Sequence, residues 1–93
     1  MQLSADHFDR IDAFLQERLN EARGQLADDS PDAALALDAL AYEIARAASM
    51  ADALRAGAEL VRPPSDAWET LRHVARRWQG HPRFLPEFAL PAA

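Results

Sequence analysis

Cysteine and lysine are both missing from this chain of 93 residues. Without cysteine there are no disulfides, thiolate metal sites or cysteine nucleophiles. Glycine occurs only at Gly24, Gly57 and Gly80, too few for a glycine-rich phosphate cradle. β-Branched residues are Ile11, Ile44, Val61, Thr70 and Val74, so a sheet would have little to be built from. No apolar run approaches the ~20 residues that a bilayer span needs. Residues 1–7 hold neither a basic region nor an apolar stretch, so no secretory signal is expected and the expected location is the cytoplasm.

What is present is helix-forming. Hydrophobic residues make up 49% of the chain, and alanine supplies much of that share; only four Phe, two Trp and one Tyr add bulk. Alanine is the best helix former and adds little volume, which suits helices packed closely together. The expected fold is all-α: one domain over residues 1–93, a three-helix bundle with a long central helix and an extended C-terminal tail. A domain of this size buries roughly 60–65% of its unfolded surface, so modest stability is expected.

The first helix is expected over 5–26. Ser4 is placed as its N-cap, with Asp6 and Asp9 near the positive end of the dipole. Phe8, Ile11, Leu15, Leu19, Ala22 and Leu26 recur at intervals of three and four and define its buried face. Asp28, Asp29, Ser30, Pro31 and Asp32 punctuate the chain, with Ser30 as N-cap and Pro31 at the first helical position. The second helix is expected over 31–61. Leu37, Leu40, Ile44, Ala47, Ala51, Leu54, Ala58 and Val61 form its heptad seam. Gly57 is read as a weak point in that helix, and Arg62-Pro63-Pro64 as its end. The third helix is expected over 66–79, with Ser65 as N-cap and Trp68, Leu71, Ala75 and Trp78 facing inward. Gly80 is expected to supply a left-handed stop. The tail, residues 80–93, carries Pro82, Pro86 and Pro91 among Phe84, Leu85, Phe88 and Leu90.

The net charge of −5 is unevenly spread. Residues 1–43 hold ten acids and three Arg; residues 44–93 hold five acids and seven Arg. With every basic residue an arginine and the chain rich in alanine, the simplest reading is coding bias in a GC-rich genome. Arg72, Arg76 and Arg77, followed by Arg83, are expected as a basic strip on the third helix. That strip could neutralise the acidic first helix, receive a protein partner, or contact DNA phosphates. The acidic whole and the scarcity of base-reading side chains make nucleic acid the least favoured of the three.

No motif points to catalysis, a cofactor or a metal. Glu69 and His73 stand at i,i+4 but supply two ligands at most, and the spacings of His-Glu metal motifs are missing. No Ser-His-Asp set or nucleotide motif occurs. The expected function is therefore a non-catalytic protein–protein interaction or regulatory module. The alternative is a small DNA-associated regulator or antitoxin-like protein using the basic face of the third helix. Self-association to a homodimer is expected through the central helix, which at ~45 Å outruns neighbours of ~33 and ~21 Å. Ala41, Ala45 and Ala48 are the expected bare stripe, where small side chains admit another backbone. Phe84 and Phe88 either close the end of the bundle or dock on a partner.

Two stretches resemble a known family. Ile11-Asp12-Ala13-Phe14-Leu15-Gln16-Glu17-Arg18-Leu19-Asn20-Glu21 is similar to the opening of a family of small, uncharacterised actinobacterial proteins, a domain of unknown function. Leu71 through Phe88, with its His81-Pro82 pair followed by Phe84, Glu87 and Phe88, resembles that family's C-terminal segment. Together they cover about a third of the chain, which lacks the family's longer middle; the resemblance implies lineage and no activity. Arg10-Ile11-Asp12-Ala13 is also similar to the first helix of all-helical chorismate mutases. Those enzymes bind a dicarboxylate with lysine and arginine. This chain has no lysine and lacks the downstream motif, so that activity is not expected.

Overall fold

The computed structural model describes residues 2–26 and 30–91. The expected Asp28-Asp29 loop and the last two residues of the tail lie outside them. Among the described residues there are four α-helices: α1 (Ala5–Gln25), α2 (Pro31–Ala48), α3 (Met50–Ala56) and α4 (Pro64–Ala75). Short 3₁₀ turns follow at Arg76–Trp78 and Pro86–Phe88. Among the described residues there is no strand, and none of these helices is long and apolar enough to cross a membrane.

Serine at the start of α1 does more than cap. The Ser4 N–H donates to His7 Nδ1 at 3.1 Å, so the histidine three residues on closes the reciprocal box that glutamate or glutamine usually closes. The far side of the ring faces the tail, with His7 Nε2 3.6 Å from Glu87.

The second and third helices together form the long central helix, interrupted only at Ser49. Ser49 stays right-handed and its N–H still reaches the Ala45 carbonyl at 3.0 Å. Its hydroxyl, however, donates to the Arg46 carbonyl at 2.6 Å and competes with the backbone ladder there.

The central helix ends at Ala56, short of the expected 61. Gly57 is its stop rather than a weak point: φ is +63°, the Gly57 N–H donates to Leu54 and the Ala58 N–H to Ala53. Those two bonds satisfy carbonyls that the last turn leaves open, and glycine takes the left-handed conformation without a Cβ penalty. The seam accordingly stops at Leu54, and Val61 is 100% exposed. Pro63 and Pro64 do not end this helix. They begin the next one, with Pro63 as N-cap and Pro64 in the first turn, so Ser65 lies inside the helix. Gly80, unlike Gly57, is not left-handed; α4 closes by tightening into the 3₁₀ turn, and the His81 N–H bonds the Trp78 carbonyl at 2.9 Å.

Ion pairs give the course of the chain. Arg23 pairs with Asp38, and Arg55 with Asp9, so α1 runs antiparallel to α2 and α3. Phe8 packs on Trp68 and Phe14 on His81, which sets α4 parallel to α1. The bundle is up-down-up.

The core is built mainly from α1 and α4. Phe8, Ile11, Phe14, Leu15 and Leu19 come from α1, and Trp68, Leu71, Val74 and Ala75 from α4. The central helix contributes only Ile44 and Ala51 as fully buried side chains. Trp78, expected in the core, is half-buried at its edge. The tail folds back over the open end, where Phe88 lies against Phe14, Trp68 and Phe84.

Candidate functional site

The Glu69–His73 pair, the arginine strip, the aromatic tail and the alanine stripe were the candidates at the level of sequence, and the fold engages most of them internally. Phe88 is 1% exposed and belongs to the core, so of its two expected roles it closes the end of the bundle and is not available to a partner. Phe84 is half-buried beside it, with ring centroids 5.9 Å from Phe14 and 5.7 Å from Phe88. The alternation of prolines with apolar residues fixes this outcome: proline stops the tail from continuing as a helix, and the aromatics need cover from water.

Arg72 of α4 and the two arginines of the 3₁₀ turn after it do not make one strip. Arg72 is largely buried; it donates to the Ala89 carbonyl and ties the tail to the helix. Arg76 lines a groove of about 320 Å³ with Gln79, Phe84 and Leu90. Arg77 instead borders Leu40, Glu43 and Thr70, on the side of the central helix. A separation of five residues turns the helix by more than a third of a circle, so Arg72 and Arg77 cannot share one face. Of the expected set, Arg83 pairs with Glu17 of the acidic α1, and Arg55 on Asp9 and Arg18 on Glu17 and Glu21 add to its neutralisation.

Arg18 carries no signal in the periodicity, yet it is 3% exposed. Its guanidinium lies 5.2 Å from the Phe14 ring centre, 2.9 Å from Glu21 and 2.9 Å from His81 Nδ1. Its long stem covers apolar surface while the head meets the carboxylates, which is how a buried arginine is tolerated. Glu17, Asn20, His81 and Arg83 complete a shallow, open depression around it. Glu69 and His73 stand 3.9 Å apart on the surface, and among the described residues no group of three metal-ligating side chains is assembled.

The surface left without a partner is the outer face of α2. Of its eighteen residues only Ile44 is fully buried. Leu35 and Tyr42 keep 66% and 67% of their surface exposed, with exposed Ala39 between them on the same face. Arg46 extends the face and lies 6.0 Å from the Tyr42 ring centre. The expected alanine stripe sits at the flank instead: Ala45 is exposed, while Ala41 and Ala48 are half-buried and Ala41 packs on the core. The reason is angular, because those alanines fall between the Ile44 direction and the outer face. Comparison with protein-family models, with curated proteins and with solved structures gives no match for this chain.

Proposed function

We propose that this chain is a non-catalytic protein–protein interaction module of the cytoplasm, and that it self-associates through the outer face of α2. The observation that carries this reading is the exposure of Leu35, Ala39 and Tyr42 in one row on a helix that buries a single side chain. Leu35 and Tyr42 lie two turns apart with Ala39 between them, and a contiguous apolar row of this kind marks a contact surface. Tyrosine and arginine, the two largest residues on the row, are the types enriched where proteins meet.

Support for a non-catalytic reading comes from how the titratable groups are used. His7 caps α1, His81 lies against Arg18, and Glu87 is held by Arg10. The Glu87 carboxyl is lowered, chiefly by that hydrogen bond, which keeps it ionised rather than poised for proton transfer. The separation of Arg72 from Arg77 removes the continuous basic strip on which a DNA-associated role rested.

The test compares two exposed apolar positions, one on the α2 face and one away from it. Tyr42→Glu should convert a dimer to a monomer with its helical circular dichroism retained. Val61→Glu, at a fully exposed site off the α2 face, should leave the dimer intact. Equal behaviour of the two variants would overturn the reading.

A further inference from the structure

Resting on that self-association, we infer that the second copy docks antiparallel, about a two-fold axis at Ala39, with Asp32 of each chain against Arg46 of the other. Asp32, Leu35, Ala39, Tyr42 and Arg46 step 3-4-3-4 along α2 and are all exposed. At 3.6 residues per turn they fall within about 80° of the helix circumference. Read along the chain, the row is acid, apolar, small, aromatic, base.

Turned end for end about Ala39, this row complements itself. Asp32 meets the partner's Arg46, Leu35 meets the partner's Tyr42, and the two Ala39 residues meet at the axis. The small side chain stands where the helices must come closest, and the larger pair fills the space on either side. Ala39 also lies at the middle of Pro31–Ala48, so this register overlaps the two helices along their whole length, about 27 Å. A parallel pairing fails on charge, because it sets Asp32 on Asp32 and Arg46 on Arg46. Two-fold interfaces bring one patch against itself, so a row whose ends carry opposite charge selects the antiparallel form.

The two charges are available for this role. Among the described residues neither Asp32 nor Arg46 has an ion-pair partner within the chain, whereas the neighbouring Asp38 is engaged by Arg23. Exposed pairs add little affinity by themselves, so their part is to set orientation while Leu35 and Tyr42 supply the buried area.

The lack of cysteine allows a single spin label to be placed at Ser49→Cys, ten residues from the axis. Antiparallel chains should put the two labels about 30 Å apart along the helix direction. A parallel pair would hold them near the helix–helix spacing of about 8–10 Å plus the label arms. A dimer mass with the long distance supports the register. A dimer mass with the short distance overturns the register and leaves self-association standing, while a monomer mass overturns self-association itself. Charge exchange gives a second readout. Asp32→Arg and Arg46→Asp should each weaken the dimer about tenfold, and the double variant should recover it. No recovery would contradict the antiparallel pairing.

Discussion

Arg10 holds Glu87 across 77 positions of sequence with two hydrogen bonds, Nε to Oε1 at 2.7 Å and Nη2 to Oε2 at 3.0 Å. The pair fastens the tail to the first helix. Its bond, aided by the charges of Arg10 and His7 and opposed by burial, holds the Glu87 carboxyl below the usual carboxylate range. A carboxyl lowered in the folded state contributes stability above its unfolded pKa and loses it as pH falls through the folded value. Glu87→Gln should therefore lower the melting temperature by a few degrees near pH 7, and the difference should close as pH falls through the lowered folded value of the carboxyl. A melting difference that persisted in acid would show that the ionised pair is not what fastens the tail.

Burial ranks the aromatic residues differently from their size. Phe88→Ala should cost about 3–5 kcal/mol, the range for emptying a fully buried aromatic site. Trp78→Ala should cost clearly less, because that side chain is half in water. Urea denaturation of both variants checks the order, and a costlier Trp78 variant would place the tail off the core.

Gly24 and Gly57 should respond to alanine in opposite directions. Neither position has an atom within 4 Å of an added Cβ, so backbone conformation alone decides. Gly24 lies within α1, where alanine is the better helix former by up to ~1 kcal/mol. Gly57 is left-handed, and a Cβ there costs roughly 1–2 kcal/mol. Thermal melts of Gly24→Ala and Gly57→Ala should move up and down respectively; shifts of the same sign would contradict the cap at Gly57.

Helix class and the α1 face were legible because they rest on local pattern. Phe8, Ile11, Leu15 and Leu19 recur with the helical period, and the same four are fully buried. The end of the central helix was misread because Gly57 sits inside an unbroken 3-4 pattern, and periodicity does not register a change in the sign of φ. Arg18 escaped notice for a related reason. A charged side chain on the edge of a buried stripe is assigned to solvent until a tertiary partner, here His81 from beyond α4, is brought to it. The outer face of α2 was displaced for a third reason. Alanines fit either a tight internal contact or an external one, and only the direction of Ile44 fixes which of them point outward.

The most direct test of an interface on α2 is the mass of the unmodified chain by light scattering, followed over a series of micromolar concentrations. The expected result is a particle of twice the 10.3 kDa chain that dissociates on dilution. A mass of one chain at every concentration would contradict self-association and leave Leu35, Ala39 and Tyr42 without a role.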